Sequence, residues 1–304
     1  MHRPYFVIDA FASEAFTGNP AAVVLDADQL DEKTMQLVAA EFNLSETTFV
    51  LKAQDSRAVV RFRWFTPLAE VKMCGHATVA GVHALLEAGR LRHDERRAST
   101  KVHIETKSGT LSAFVERVPG ANGETMIWLD LPDPILTPYP FDRFDWQAVP
   151  GVAQRRDAEF PPVKTQDDDL IVFVHDAAAL NGLRPDFGRL AGELNAQRLR
   201  GLCVATIRTI TASISVQSRF FAPNLGVHED PVTGSVHGPL AAYVVERGVT
   251  PLHDGLAGLT CVQGLPGGRT GLLHALVQPQ AGGRCAVRIG GRAVTTMTGT
   301  LLLS

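Results

Sequence analysis

Arg63-Trp64-Phe65-Thr66-Pro67, a loop, then Cys74-Gly75-His76 and an apolar run that stops at Gly89 form a pattern that occurs twice in this chain. Its second occurrence is Arg219-Phe220-Phe221-Ala222-Pro223, a loop, Thr233-Gly234-Ser235 and an apolar run that stops at Gly248. Pro67 and Pro223 are 156 residues apart, while the loop glycines and the terminal glycines are each 159 apart, so the second loop is three residues longer. Strand, loop, turn, helix and stop keep one order in both, as an internal repeat requires. Upstream, residues 35–42 share a helical pattern with residues 187–194 at an offset of 152. The chain reads as two copies of one unit.

Working outward, residues 4–10, 21–25, 47–51, 58–65, 102–106 and 111–115 have the alternation or apolar density of strands, with Ser108-Gly109 closing a hairpin. Asp31 is placed to cap a first helix that ends before Asn43, and a second helix runs from about His76 to Glu87. The second is apolar on nearly every face (Ala77, Val79, Ala80, Val82, Ala84, Leu85, Leu86), so it has to be buried all round. In the later copy, 126–131, 170–175, 202–207, 213–221 and 273–277 supply strands, and 236–245 the central helix. Residues 141–169, rich in Pro and Asp and without periodicity, read as a surface excursion. The expected fold is α+β: two pseudo-symmetric domains, each a curved, mostly antiparallel sheet or barrel wrapped around a central apolar helix. A cluster of Pro, Gly and Asn at 118–124 puts the boundary between 1–120 and 121–304, with the last strand free to return to the first domain.

Two domains also suit the length of 304 residues. With 29 basic against 32 acidic side chains the net charge is −3, and no basic window interleaved with aromatics is present, so nucleic acid is not an expected partner. No apolar stretch reaches the 18 or so residues of a membrane span, and the N-terminus enters a strand-like pattern without a signal-type segment. No membrane partner is expected, and the cytoplasm is the expected compartment. Cys74, Cys203, Cys261 and Cys285 make no C-x-x-C pair and read as reduced thiols, the last three in apolar strand-like surroundings. His76 and His83, seven apart on one helix without an H-E-x-x-H pattern, give no expected metal site.

Pseudo-twofold repetition would set the glycine turns at Gly75 and Gly234 face to face in a cleft, where helix-start N–H groups and the helix dipoles favour a carboxylate or phosphate. The plainer account is that both glycines only make tight turns. Cys74 and Thr233 are matched, but the hydroxyl of Thr233 is too weakly acidic to act as a second thiol, which disfavours two-thiol racemisation. His76 and Ser235 are the next matched pair, one residue inside each helix, and Asp230 lies five residues before Ser235. A helix-start hydrogen bond, a cap and a turn contact account for each singly; together they point to one site. Glu46, at the entry to a strand, reads either as an edge carboxylate or as a general acid/base. A Ser235/His76/Asp230 hydrolase lacks the G-x-S-x-G elbow. The loop Gly264 to Gly271 lacks the Lys-Ser/Thr ending of a P-loop and reads as a hairpin.

Four stretches in order carry a resemblance: Phe16-Thr17-Gly18-Asn19-Pro20-Ala21-Ala22-Val23-Val24, Asn43-Leu44-Ser45-Glu46-Thr47, Phe65-Thr66-Pro67 with Cys74-Gly75-His76-Ala77-Thr78, and Phe221-Ala222-Pro223 with Glu229-Asp230-Pro231-Val232-Thr233-Gly234-Ser235. On these, the chain resembles the PhzF-like family of phenazine biosynthesis, whose fold is that of diaminopimelate epimerase. The resemblance implies two similar domains, a site between them that uses no cofactor, a small carboxylate substrate and commonly a homodimer. In the family's characterised isomerase, which acts on a dihydro-3-hydroxyanthranilate, a glutamate matching Glu46 moves a proton between allylic carbons. By the same match, His76 and Asp230 would assist proton movement or, with Ser235, orient substrate, Gly75 and Gly234 would hold its carboxylate, and Cys74 and Thr233 would stand beside them as substrate-binding positions. Gly268-Arg269-Thr270-Gly271 departs from the Gly-Arg-Pro-Ser of many relatives. The expected function is a cofactor-independent isomerase that relocates a proton. Its rivals are an epimerase or racemase using Cys74 and a protein of this fold that binds small acids without catalysis.

Overall fold

The computed structural model describes residues 2–94, 96–118, 124–210, 213–265 and 267–303. The boundary read at 120/121 and Pro266 of the late hairpin therefore lie outside the described residues. In chain order the elements begin β1 (His2–Ala10), β2 (Asn19–Val24), α1 (Glu32–Phe42), β3 (Glu46–Leu51), β4 (Val60–Phe65), β5 (Glu70–Val71), α2 (Gly75–Glu87), β6 (Ser99–Thr106), β7 (Gly109–Arg117) and β8 (Thr125–Leu131). They continue β9 (Leu136–Pro138), α3 (Val152–Arg155), β10 (Val163–Thr165), β11 (Asp169–Phe173), α4 (Ala177–Asn181), α5 (Phe187–Gln197), β12 (Gly201–Ile210), β13 (Ser213–Ala222) and β14 (Val227–Asp230). Last come α6 (Gly234–Glu246), β15 (Ala257–Gly264), β16 (Thr270–Pro279), β17 (Cys285–Gly291) and β18 (Ala293–Leu302). The chain divides into two compact units, Met1–Asp130 with Gly290–Ser304, and Leu131–Ile289.

In the first unit β1 lies between β2 and β18, antiparallel to both, so the last strand pairs with the first. Two parallel pairs, β2 with β3 and β4 with β6, span the crossovers that contain α1 and α2. The second unit repeats this: β11 is parallel to β12 across α5, and β13 to β15 across α6. There β10 lies between β9 and β11 as β1 lies between β18 and β2.

The all-round apolar helices are the centres of their units. Every residue of α2 from Gly75 to Val82 is buried, and the helix packs against β1, β2, β3, β4 and β18. Gly81 lets it approach β4, since a Cβ there would lie 2.6 Å from the Phe62 ring. In α6, Gly234 and residues 236–245 are buried. Each sheet's other face takes an amphipathic helix, capped in the same way in both units. Asp31 accepts from the Thr34 N–H at 2.8 Å and α1 ends at Asn43 with φ 50°; Asp186 accepts from the Arg189 N–H at 3.0 Å and α5 ends at Arg198 with φ 55°. Met35, Val38 and Ala39 pack on Phe49 and Phe65, and Leu190 and Leu194 on Leu202, Val204 and Phe221. The repeated arginine has one task in both copies. Arg63 clamps Glu70 through Nε at 2.7 Å and Nη2 at 3.0 Å, Arg219 clamps Glu229 through both at 2.8 Å, and each guanidinium lies over the Phe two residues on. The loop before each central helix is thereby tied to the strand before it.

Two readings from the sequence need correction. Residues 141–169 are not a surface excursion: Phe144, Trp146, Ala148, Val149, Val152, Phe160 and Val163 are buried, most of them in one core with α5. Short 3-10 turns deliver those side chains inward, so no period of 2 or 3.6 marks them. The strand at 126–131, read as part of the second copy, pairs antiparallel with β7 and belongs through Asp130 to the first unit. Gly264 and Thr270 face each other across the late hairpin, as the loop reading expects, and Gly264 has φ +108° with no room for a Cβ.

Candidate active site

In the first unit the placement of Glu46 follows from strand parity. Thr48 of β3 donates its hydroxyl to the Ala77 carbonyl of α2 at 2.9 Å, whereas Phe49 faces α1. Side chains two apart share a face, so Glu46 lies with Thr48 on the α2 side, level with that helix's first turn. There its Oε2 is 3.1 Å from Nε2 of His76, with only 18% of the Glu46 side chain and 8% of the His76 side chain exposed. On the other edge of the imidazole, Nδ1 is 3.5 Å from both Sγ of Cys74 and Nδ2 of Asn19. Gly75 opens α2, and Cys74 is its cap residue in extended conformation, with its carbonyl accepting from the N–H and hydroxyl of Thr78.

Burial disfavours charge on His76, but Cys74 and Glu46 beside it raise its pKa well above the usual imidazole range. The Cys74 thiol is itself pushed up, by burial first and by the Glu46 carboxylate second. A neutral thiol lends no charge to an imidazolium, so the partner that keeps His76 protonated is Glu46. The donor atoms of Glu46, Cys74 and His76 lie within 4.8 Å of one another, a spacing open to a metal ion. They are, however, strung along the imidazole, with the sulfur at one ring nitrogen and the carboxylate at the other. Chelation by all three would need them to converge on one point. The arrangement is that of a carboxylate held by an imidazolium, able to take up and give back a proton.

The second unit builds a different group at the corresponding turn. Asp230, at the end of β14, accepts from the Thr233 hydroxyl at 2.5 Å. Gln263 of β15 locks that turn: its Nε2 donates to the Asp230 carbonyl at 2.6 Å and to Thr233 Oγ1 at 3.0 Å, and its Oε1 accepts from the Thr233 N–H at 2.9 Å. Ser235 Oγ accepts from Arg200 at 2.9 Å, and Arg200 is paired with Asp169. His237, fully buried, has Nδ1 2.8 Å from the Thr233 carbonyl and Nε2 3.1 Å from Ser218 Oγ, and burial lowers its pKa to about 4. It is therefore neutral, Nδ1–H donating to the carbonyl and Nε2 accepting from Ser218.

Of the candidates from sequence, the structure gathers Glu46, Cys74, Gly75 and His76 around the start of α2, and Asp230, Thr233, Gly234 and Ser235 around the start of α6. Sequence reasoning passed over Asn19, Arg200, Asp169, Gln263 and His237. Gln263 had a signal, a long polar side chain inside the apolar strand Gly258-Leu259-Thr260-Cys261-Val262-Gln263. Asn19 lies in the family-like stretch Phe16 to Val24, where nothing in the sequence marks it out from its neighbours. Cys74, Cys203 and Cys261 are buried free thiols and Cys285 is half-buried. No helix among the described residues is long and apolar enough to cross a membrane.

Comparison with known proteins finds relatives along the whole chain. The family described as phenazine biosynthesis-like protein, PhzC-PhzF, matches residues 8–299. An uncharacterized isomerase of Pseudomonas aeruginosa is 38% identical over the whole of both chains. A trans-2,3-dihydro-3-hydroxyanthranilate isomerase of Pseudomonas chlororaphis is 34% identical, again over the whole of both. Among solved structures, the Bacillus anthracis phenazine biosynthesis protein of the PhzF family superposes with a TM-score of 0.86 at 28% identity, covering all of both chains.

Proposed function

The chain belongs to the phenazine biosynthesis-like family, and from that premise we propose that it is an isomerase that relocates a proton on a small carboxylate substrate, with Glu46 carrying the proton. The observation that carries the reading is the pairing of Glu46 with His76, mostly out of water, at the start of a buried helix. As a carboxylate, Glu46 takes a proton from a carbon beside a double bond. The electron pair left behind shifts into the conjugated system, and Glu46 returns the proton to a different carbon of the same face. One group suffices because nothing is gained or lost overall. His76, charged and 3.1 Å away, keeps Glu46 ionised between turnovers and holds its orientation. In the second unit, Gly234, Ser235 and Asp230 are assigned to substrate binding, with Thr233 and Gln263 holding the turn. The allylic class of substrate is carried over from the named activity of the P. chlororaphis relative.

Cys74 supports the epimerase reading only by its 3.5 Å approach to His76, and a buried thiol with a raised pKa is a poor base. Solvent-deuterium incorporation, read by mass spectrometry on a panel of cyclic and β,γ-unsaturated acids, tests the proposal. Exchange or a double-bond shift that disappears in Glu46→Gln supports it. Exchange that survives Glu46→Gln but stops on alkylation of Cys74 replaces it with the epimerase reading, and binding without any exchange replaces it with the binding-protein reading.

A further inference from the structure

By strand register, the position of Glu46 in the first unit is taken by Gly201 in the second: Glu46 sits opposite Ala21 at the start of β3, and Gly201 opposite Asp169 at the start of β12. A side chain cannot follow there, because a Cβ on Gly201 would meet the Phe220 ring at 2.3 Å. The charged group comes one residue earlier. Arg200 Nε donates to Asp169 Oδ1 at 2.8 Å, Nη2 pairs with the other Asp169 oxygen and donates to Ser235 Oγ at 2.9 Å, and the guanidinium lies over Phe220 at 5.7 Å. So a charged side chain again reaches the first turn of the central helix, from Arg200 just before β12 to Ser235 where the first unit has Glu46, the first residue of β3, to His76.

This pairing fixes hydrogen-bond polarity. Ser235 Oγ, already accepting from a guanidinium that cannot lose its proton, keeps its own O–H to donate. Asp169, the acid that Arg200 binds directly, is 1% exposed, and Asp167 and Asp230 act on Arg200 only through space, while 34% of the Arg200 side chain is open and its Nη1 binds no described residue. Thr233 offers nothing comparable, its hydroxyl donating to Asp230 and accepting from Gln263. Two convergent donors on a pinned arginine and its serine suit an oxygen acceptor, above all the two oxygens of a carboxylate. We infer that Arg200, with Ser235, selects the carboxylate of the ligand and is the residue that makes this protein specific for acids. The inference rests on the reading above that the ligand is a small acid, but not on the proton shift.

The test uses 3-hydroxyanthranilate and 2-aminophenol, the same ring without its carboxyl group, titrated against the full-length protein by calorimetry. Arg200→Met is combined with Asp169→Asn so that no carboxylate is left buried and unpaired, and circular dichroism checks the fold. The wild type should favour the acid. The double variant should lose acid affinity by about tenfold to a hundredfold, the range for a charged hydrogen bond, and leave 2-aminophenol unchanged. Arg200→Lys should recover part of the preference, since charge returns without the fork. A wild type with no preference for the acid, or a folded double variant that keeps it, overturns the inference. Deuterium exchange on the panel of cyclic and β,γ-unsaturated acids, run with the same protein preparations, reads the proposed function separately, since neither aromatic ligand has an allylic C–H to give up. An Arg200-dependent preference without exchange removes the isomerase reading alone, and exchange with an unaltered preference removes only the role of Arg200.

Discussion

The starts of α2 and α6 descend from one pattern and have become chemically opposite. Both open on a glycine after an extended cap residue, both follow a loop clamped by an Arg–Glu pair, and both put a first-turn side chain against a charged residue at or just before the start of a parallel strand. In the first unit that contact is carboxylate to imidazolium; in the second it is guanidinium to hydroxyl. The third position along tells the same story, since Thr78 and His237 each bond the carbonyl of the residue four before, one by a hydroxyl and one by a neutral ring. A duplicated scaffold can thus keep its backbone and separate its side chains, with a carboxylate–imidazole pair in one copy and a guanidinium–hydroxyl pair in the other.

The largest expected effect tests that separation directly. Glu46→Gln should reduce turnover by about a hundredfold or more, the scale of general acid/base catalysis, while Ser235→Ala acts mainly on KM. Steady-state kinetics on any exchanging acid decide it. Equal losses of kcat in the two variants would mean that both helix starts take part in proton transfer and do not differ in chemistry.

The next effect compares two histidines with opposite shifts. His237 is held neutral with a pKa of about 4 against an ordinary 6.5, so the unfolded chain binds its proton first as pH falls. Its stability contribution is present above about 6.5 and drains away towards pH 4, roughly 3 kcal/mol in all. His76 has a raised pKa, so its contribution is complete below 6.5 and is lost as pH rises through the folded value. Urea unfolding across pH should show both limbs. His237→Gln should flatten the acid limb and His76→Gln the alkaline one; either variant acting on the other's limb would break the assignment.

How much of this could be read in the sequence depends on whether one element carried its own meaning. The repeat and the two central helices were legible because a helix apolar on every face has one solution, burial within a sheet, and the glycine stops fix its length. Glu46 was legible as a candidate only through the motif around it. Its orientation followed once β3 had a register, because parity then places it on the α2 side. Arg200 was not legible, since Arg-Gly before a strand is ordinary and acquires a role only through Asp169, 31 residues earlier, and Ser235, 35 later. Trp146 and Phe144 were hidden by the Pro and Asp around them, as irregular turns bury side chains without a period. The strand at 126–131 was seen, but alternation does not name the neighbour with which a strand pairs.

Gly201 sharpens the comparison at smaller scale. If Phe220 truly fills the space that an acid occupies in the other unit, Gly201→Ala should cost about 1–3 kcal/mol through overpacking, by thermal or urea unfolding. Gly201→Ala combined with Phe220→Leu should recover much of it, whereas additive losses would mean that the ring is not the obstacle.

The smallest effect is expected at the matched cap residues. Cys74 is 8% exposed, its thiol is neutral, and no side-chain hydrogen bond from it caps α2. What it gives the site is volume beside His76 and a weak contact at Nδ1, both of which a threonine, the residue at the matched position 233, can approximate. Cys74→Thr should therefore keep turnover within about threefold, since the transition state loses only a sulfur contact worth well under 1 kcal/mol. Iodoacetamide should react slowly with the folded wild type, because the attacking species is the thiolate and burial opposes it. A turnover collapse in Cys74→Thr on the scale of Glu46→Gln would make the thiol an acid/base partner. The first unit would then hold two proton carriers on opposite edges of one imidazole, and inversion at a stereocentre would become the better account of its chemistry.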